Sequence, residues 1–207
     1  MSLVLLDPKA VDSSLDRLAT EIASRGAPGD TPPVLVAIRR GGEPFAKRLA
    51  QKLESHLGAM PPLGVVDITL YRDDAATALP NPKIGPSRID VSIDGRRVVL
   101  VDDVLHTGRT IRAALDAVLD YGRPRVIELC VLVDRGGREF PIQADYVGYV
   151  AKVESGQRVE VMMKRVGPRE EDEEPWALCV GEPEWTESTQ WTESKKVCGV
   201  PPGRSER

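Results

Sequence analysis

The feature that most constrains this 207-residue chain is the run VVLVDDVLHTGRT, which spans residues 98–110. Its four consecutive apolar residues predict a strand buried on both faces of a sheet, and two carboxylates, Asp102 and Asp103, follow directly. A turn containing glycine then leads into residues with helical apolar spacing. This order predicts a phosphate-binding βα unit, because unpaired N–H groups and the dipole at a helix N-terminus attract anions.

The parts of this unit point to a sugar phosphate. Residues 107–110 precede the helix, and Gly108 lets a phosphate approach the backbone closely. The carboxylates of Asp102 and Asp103 suit ribose hydroxyls or a Mg²⁺ ion bound with them. An isolated acid pair or Thr-Gly pair is usually a solvated strand end or a helix cap. The ordered combination therefore favours a pentose 5-phosphate site.

The rest of the body alternates strands with helices. Helical spacing of apolar residues predicts helices over residues 7–26, 44–58 and 111–122. The third helix is expected to bury Ile111, Ala114, Leu115, Val118 and Leu119. Apolar runs predict strands at residues 34–38, 65–70, 98–101, 126–133, 146–150 and 159–166. This alternation predicts an α/β fold with a mostly parallel central sheet flanked by helices.

Charged loops follow several of the predicted strands. They cover residues 39–42, 71–74, 102–110 and 134–137. Because ligands of open parallel sheets lie outside the carboxyl ends of the strands, we expect these four loops to converge on one rim. The second loop belongs to a long irregular segment, residues 71–95, and a loop of that length is usually functional or mobile.

Composition excludes several classes of protein. No run approaches the roughly 18 consecutive apolar residues of a membrane-spanning helix, so we expect a cytoplasmic protein without membrane contact. The three cysteines have unrelated spacing and indicate neither a disulfide framework nor a zinc site. Residues 168–207 carry ten acidic and five basic side chains and contain WTES twice. Without strand or helix periodicity, they are expected to be a flexible acidic tail beyond a domain of residues 1–167.

The run VVLVDDVLHTGRT resembles the phosphoribosyl diphosphate (PRPP) motif of type I phosphoribosyltransferases. Two further segments, DITLYRDD at residues 67–74 and VLVDRGGREFPIQADYVG at residues 131–148, resemble pyrimidine operon regulatory proteins that double as uracil phosphoribosyltransferases. The resemblance covers about residues 3–166. It implies the type I phosphoribosyltransferase fold, with a flexible hood loop starting near Tyr71.

The resemblance also implies a reaction, the Mg²⁺-dependent transfer of ribose 5-phosphate from PRPP to N1 of uracil, which yields UMP and diphosphate. The implied catalytic residues are Asp102, Asp103, His106 and Arg72, with Asp102 and Asp103 contacting the metal through substrate or water. The 5-phosphate and ribose are assigned to Val104, Leu105, Thr107, Gly108, Arg109 and Thr110. The diphosphate is assigned to Arg39, Arg40 and Gly41, and the base to Val133, Asp134 and Arg135.

The same family implies further partners: UMP or UTP as effectors, a pyrimidine-operon mRNA leader, and a homodimer or higher homo-oligomer. The first helix departs from the family pattern, however. Asp12, Ser13, Asp16 and Thr20 stand where the regulators carry basic residues and a histidine. Since phosphate contacts supply most nucleic-acid affinity, these residues predict weakened RNA binding.

Other departures concern the base side of the site. His106 stands where the regulators usually have tyrosine and purine enzymes have aspartate, and Gly137 replaces a usual histidine. The imidazole of His106 has two open interpretations: it accepts the N1 proton of uracil near neutral pH, or it only covers the loop. For Asp134 and Arg135 the alternative to base binding is a surface ion pair.

Three alternatives to a uracil phosphoribosyltransferase remain at this stage. One is a nucleotide-sensing, RNA-binding attenuator without catalysis, and another is a phosphoribosyltransferase for a different base. A receiver domain also has an acid pair after a buried strand, but no Thr-Gly-Arg-Thr turn follows it there. For Arg39, Arg40 and Arg72 the alternative is an ordinary solvated charge.

Overall fold

The computed structural model describes residues 3–26, 30–39, 41–71, 85–153, 157–165 and 173–181. Within these ranges the helices are α1 (Pro8–Ser24), α2 (Gly42–Leu57) and α3 (Arg109–Leu119). The strands are β1 (Leu3–Leu6), β2 (Val34–Ile38), β3 (Leu63–Val66), β4 (Arg97–Leu105), β5 (Val126–Asp134), β6 (Tyr146–Val150), β7 (Arg158–Arg165) and β8 (Glu173–Gly181).

Five strands form a parallel sheet in the order β3-β2-β4-β5-β6, with helices on both faces. The helices α1 and α2 cover one face, and α3 covers the other. The prediction of an α/β fold with a mostly parallel central sheet is therefore confirmed. Because every strand of this sheet points the same way, all five carboxyl ends lie along one edge.

The first two helices follow their sequence signals. Asp7 caps α1 by accepting a hydrogen bond from the Ala10 N–H at 2.8 Å, and Pro8 occupies the first helical position. At the C-terminal end of α2, Gly58 takes a left-handed φ of 73°, as a helix-terminating glycine does. Leu18 of α1 is fully buried, and truncating such a side chain to alanine costs about 2–5 kcal/mol.

The core face of α3 differs at its end from the prediction. Ile111, Ala114 and Val118 are buried as expected, whereas Leu119 is 54% exposed. Val118 in the same turn is fully buried, so Leu119 lies at the edge of the face that α3 packs against the sheet. Ala113 and Ala117 also face the core, which the expected set left out.

The second predicted strand, residues 65–70, is wrong in its bounds. The strand β3 ends at Val66, and Asp67 starts a turn by accepting a hydrogen bond from the Thr69 N–H at 2.9 Å. An aspartate that bonds the backbone two residues ahead competes with strand pairing. The next strand along the chain, β4, is longer than predicted, because it continues through the acid pair to Leu105.

A second, antiparallel sheet has the order β1-β8-β7 and packs beside α1 and α2. Its middle strand is β8, which lies within the segment expected to lack regular structure. For residues 173–181 that expectation is wrong. They pair on one side with β7, the preceding strand, and on the other with β1, which is distant in the chain, so half of their pairing has no local signal. The WTES units lie outside the described residues.

Candidate active site

The acid pair lies in the last part of β4, at the carboxyl edge of the sheet. Asp102 is 5% exposed, and one of its oxygens accepts a hydrogen bond from the Asp103 N–H at 3.0 Å. Asp103 accepts from the Val104 N–H at 2.8 Å. Burial raises the pKa of the Asp103 carboxyl above its ordinary value, although these backbone contacts act in the opposite direction.

The turn after β2 packs directly against this acid pair. A Cβ atom on Gly41 would overlap the Asp103 carboxyl group, and one on Gly42 would lie 2.5 Å from the carbonyl oxygen of Val101. Close approach rather than an unusual φ therefore favours glycine at both positions, against the backbone at Gly42 and against the Asp103 side chain at Gly41. Two of the loops expected to converge, those after β2 and β4, do meet at this edge.

The turn after β4 forms the N-terminus of α3. Gly108 has a φ of 90°, a left-handed conformation that favours glycine, and it immediately precedes the helix. Thr107 is held from behind, because its carbonyl oxygen accepts hydrogen bonds from the N–H groups of Glu139 (2.9 Å) and Phe140 (3.0 Å). The first N–H groups of a helix lack intrahelical partners, so this turn has the donors and dipole of an anion site.

The side chain of Arg109 is directed to the neighbouring loop. Its Nε donates to the Glu139 carboxylate at 2.7 Å, its Nη2 lies 2.6 Å from the same oxygen, and the guanidinium lies over the Phe140 ring. The ion pair is 41% and 50% exposed at its two side chains, so it adds little stability by itself. Arg109 therefore joins the phosphate turn to the loop after β5 and, in this arrangement, contributes its backbone to the anion site.

Arg138 cross-links the loops after β4 and β5. Its guanidinium donates to the Asp134 carboxylate (2.6 Å), the His106 carbonyl oxygen (2.8 Å) and the Ile142 carbonyl oxygen (2.9 Å). The alternative to base binding at this turn was an ion pair between Asp134 and Arg135, but Asp134 pairs with Arg138, four residues along. Sequence reasoning missed Arg138 and Glu139. Their only local signal was the density of charge and glycine after a buried strand.

His106 and Arg135 lie side by side at the same edge. The Nδ1 atom of His106 is 3.3 Å from Nη1 of Arg135, and the Arg135 N–H donates to the Leu105 carbonyl oxygen at 3.0 Å. Burial lowers the pKa of His106, and the charges of Arg135 and Arg138 add to this against the opposing effect of Glu139. The imidazole is therefore mainly neutral at pH 7.

An open cavity of about 890 Å³ lies between the loops after β5 and β6. Its walls combine basic and amide groups with apolar and aromatic surface, a composition suited to a planar polar ring. The lining residues are Asp134, Arg135, Gly136, Arg138, Phe140, Pro141, Ile142, Gln143, Val150, Ala151, Lys152 and Val153.

Comparison with known proteins agrees with this geometry. Residues 5–163 match the family model described as a phosphoribosyl transferase domain. The chain belongs to the phosphoribosyltransferase family. It is 47% identical to the bifunctional protein PyrR of Pelotomaculum thermopropionicum over 166 residues, which cover 80% of this chain and 91% of that relative. It is 49% identical to the same-named protein of Geobacter sulfurreducens over 159 residues, covering 77% and 89%.

Solved structures show the same fold at lower sequence identity. A hypoxanthine-guanine phosphoribosyltransferase from Bacillus anthracis has a TM-score of 0.56 at 21% identity, covering 73% of this chain and 83% of that one. A hypoxanthine phosphoribosyltransferase from Staphylococcus aureus has a TM-score of 0.58 at 21% identity, covering 76% and 80%. The type I phosphoribosyltransferase fold is therefore confirmed for this chain.

Among the residues assigned to PRPP and to the base, several side chains of this phosphoribosyltransferase belong to its core. Leu105 is 1% exposed, Val133 is fully buried, and Val104 packs partly buried against the core. Leu105 and Val133 can therefore reach a ligand only through their backbone groups. Arg40 and Arg72 lie outside the described residues.

Arg39 contacts the chain that returns from the long irregular segment. Its Nη1 donates to the Pro86 carbonyl oxygen at 2.9 Å, and a Cβ atom on Gly85 would lie 2.5 Å from that same nitrogen. Asp67 accepts from the Gly85 N–H at 2.6 Å, and hydrogen bonds of this kind hold its pKa below the ordinary value despite burial. Arg39 therefore contacts residues 85 and 86 of the long irregular segment, residues 71–95.

The side chains at the site indicate how the phosphoribosyltransferase could hold a metal ion. Within the described ranges, no group of three or more histidine, cysteine, aspartate or glutamate side chains is arranged to hold a metal ion. Two adjacent carboxylates, Asp102 and Asp103, are available at the site. This fits Mg²⁺, which keeps several waters and is commonly bound by one or two carboxylates together with substrate oxygens.

None of the described helices is long and apolar enough to cross a membrane.

Proposed function

We propose that this protein transfers the 5-phosphoribosyl group of PRPP to N1 of uracil, forming UMP and diphosphate. The observation that carries the proposal is the acid pair of β4 packed against Gly41 and followed by the glycine turn at the N-terminus of α3. Support for uracil comes from the PyrR relatives and from the resemblance of residues 67–74 and 131–148 to pyrimidine operon regulators.

In this proposal each part of the edge binds one part of PRPP. The 5-phosphate lies at the turn of residues 107–110, where backbone N–H groups and the helix dipole favour negative charge. The ribose hydroxyls donate hydrogen bonds to the carboxylates of Asp102 and Asp103. The diphosphate lies toward the turn of residues 39–42, where guanidinium and backbone donors are concentrated.

The reaction breaks the bond between C1 of ribose and the diphosphate oxygen and forms the bond between C1 and N1 of uracil. Positive charge develops on C1 as the diphosphate leaves, and the nearby carboxylates of Asp102 and Asp103 stabilise it. Negative charge develops on the diphosphate, where Arg39 and the glycine amides receive it. Because an oxocarbenium-like ribose reacts with water, exclusion of solvent is part of the required chemistry.

When bound, Mg²⁺ neutralises diphosphate charge and orients its oxygens. Asp102 and Asp103 are the residues that would hold it, through the ribose hydroxyls or water. The adjacent cavity supplies the base site. Arg135 and the loop after β5 offer donors for the uracil carbonyl oxygens, and carbonyl oxygens along residues 133–136 offer an acceptor for N3–H.

The test is diphosphate release from PRPP with Mg²⁺ and a panel of bases: uracil, cytosine, hypoxanthine, guanine, adenine and orotate. We expect turnover with uracil, and loss of about 10²-fold or more in kcat/KM on replacing Asp102 by Asn, as when a positioned polar group of an active site is removed. Turnover confined to a purine or to orotate would replace uracil in the proposal. Binding of UMP without any turnover would contradict catalysis.

A second candidate function is uridine-nucleotide-dependent binding of a pyrimidine-operon mRNA leader. The observation that favours it is the relationship to proteins named bifunctional PyrR, together with the resemblance to the operon regulators. Salt dependence of RNA binding tests it, because a protein that neutralises several phosphates loses affinity steeply as salt rises.

A further inference from the structure

The hydrogen bonding of His106 determines which of its ring nitrogens carries the proton. Nδ1 lies 3.3 Å from Nη1 of Arg135. A guanidinium has only donors and remains protonated, so this contact is a hydrogen bond only when Nδ1 has its lone pair available. A neutral imidazole with an unprotonated Nδ1 carries its proton on Nε2.

The charges around the ring favour this neutral form. Arg135 and Arg138 are the cations that face His106, and Glu139, the acidic group nearby, is itself paired with Arg109. A protonated His106 would place an Nδ1–H donor against the Arg135 guanidinium. The Arg135 contact and the surrounding cations therefore both disfavour the imidazolium.

The other edge of the ring faces Gly137. A Cβ atom at this position would lie 2.9 Å from Nε2 and 3.0 Å from Cδ2 of His106, and Gly137 has a left-handed φ of 74°. Here the glycine leaves the Nε2–H group of His106 uncovered by a neighbouring side chain at residue 137.

We propose that His106, whose ring contacts the cavity-lining Arg135, donates a hydrogen bond through Nε2–H to a carbonyl oxygen of the base and is not the general base of the reaction. This inference rests on the proposed function. Its only ring lone pair is engaged by Arg135, so His106 does not accept the N1 proton of uracil. In this proposal the departing diphosphate, which gains negative charge, takes that proton. A donor at this position favours a base with an oxo group, such as uracil, over its amino counterpart cytosine, whose N–H groups would oppose Nε2–H.

The first test needs no substrate. The chain has two histidines, so a His56→Gln variant labelled with ¹⁵N leaves His106 as the one imidazole observed. His56 is exposed at the end of α2, remote from the proposed chemistry. Long-range ¹H–¹⁵N spectra at pH 7 are expected to show the neutral tautomer protonated at Nε2. An Nδ1-protonated tautomer or an imidazolium would overturn the proposal.

The second test compares three substitutions. His106→Gln retains an N–H donor near Nε2 and is expected to keep kcat/KM for uracil within about tenfold, whereas His106→Leu loses the hydrogen bond and falls about 10–100-fold, mainly through KM. His106→Leu should also narrow the preference for uracil over cytosine. His106→Asp, which supplies a base but no donor, is expected to fall at least as far as His106→Leu.

A donor role and a general-base role for His106 predict opposite orders of activity for the His106→Gln and His106→Asp variants. If His106→Asp retained activity while His106→Gln lost kcat by 10²-fold or more, the residue would be a general base and the proposal would be wrong. If the unmodified protein itself failed to use uracil, the proposed function would fail. The tautomer spectrum would then still decide the state of His106 independently.

Discussion

At the scale of single residues, the close packing of Gly41 against Asp103 couples two loops of the site. The Gly41→Ala variant places a methyl group on the Asp103 carboxyl, which must then move away from its hydrogen bond with the Val104 N–H. We expect kcat/KM for PRPP to fall by about 10–100-fold, since misplacement of a catalytic group by an ångström has effects of this size.

Gly26→Ala is the matched control for this substitution. A Cβ atom there would meet its nearest neighbour at 3.6 Å, an ordinary van der Waals distance. Steady-state kinetics and thermal unfolding of both variants separate an effect on the site from an effect on folding. Equal kinetics for Gly41→Ala and Gly26→Ala would contradict the coupling between the two loops.

The partly buried carboxyl of Asp103 should lower the stability of the fold while serving function. Because its pKa is raised in the folded protein, the native state holds this proton more tightly than the unfolded chain, and ionisation above the raised pKa destabilises the fold. Asp103→Asn is therefore expected to be more stable than the parent at pH 7 but to lose about 10²-fold in kcat/KM.

The stability difference between Asp103→Asn and the parent should depend on pH. The stability advantage of Asp103→Asn should shrink as the pH falls through the raised pKa and vanish below the ordinary value of 3.8, where the carboxyl is protonated in both states. Urea unfolding at pH 7, 5 and 3.5 measures it. A variant that is less stable than the parent at pH 7 would show that ionised Asp103 is well solvated or paired.

At the scale of elements, the loop after β5 supports the phosphate turn through Arg138. Replacing this arginine by methionine removes bonds to Asp134 and to two backbone carbonyls of the site loops. The side chain is 23% exposed, so we expect a modest loss of about 1–2 kcal/mol in the free energy of unfolding. Activity should fall as well, because His106 and the turn of residues 107–110 lose their support.

Arg88→Met provides the comparison. Arg88 pairs with Asp90 at 2.7 Å, but its side chain is 76% exposed, and such surface pairs contribute little to stability. Chemical denaturation of both variants, followed by uracil kinetics, gives the contrast. A loss for Arg88→Met as large as that for Arg138→Met would contradict the special position of Arg138.

The elements that the sequence predicted well are those with local signals. The cap of α1, the buried strand β2 and the unit from β4 to α3 each follow from residues within a few positions of one another. Arg138, Glu139 and β8 were missed for the opposite reason. Several of their partners are distant in the chain, namely His106 for Arg138, Arg109 for Glu139 and β1 for β8, so the spacing within each segment does not record these contacts.

At the scale of the whole molecule, the face formed by α1 and α2 bears on RNA binding. Lys52 pairs with Asp12 (2.9 Å) and Asp16 (2.8 Å), and Arg48 pairs with Asp12 at 3.2 Å. The hydrogen bond from Lys52 is the main reason that the pKa of Asp12 is lowered. Cations neutralised within the protein contribute less to phosphate binding, so we expect this face to bind RNA weakly.

Converting Asp12 and Asp16 to asparagine should release these cations. With two further phosphates neutralised, the slope of log affinity against log salt for a single-stranded leader RNA should steepen by about 1.4. Asp90→Asn, a surface change outside α1 and α2, is the control and should leave the slope unaltered. A steep slope already present in the unmodified protein would contradict the expectation of weak binding by this face.

The central claim concerns the edge where β2, β4 and β5 end, and a crystal structure of the protein with UMP tests it most directly. The account predicts that the 5-phosphate lies within hydrogen-bond distance of the backbone N–H groups of residues 107–110, with the ribose hydroxyls on Asp102 and Asp103. A phosphate bound elsewhere, for example between Arg135 and Lys152 in the adjacent cavity, would contradict the assignment of the acid pair and the glycine turn to the sugar phosphate.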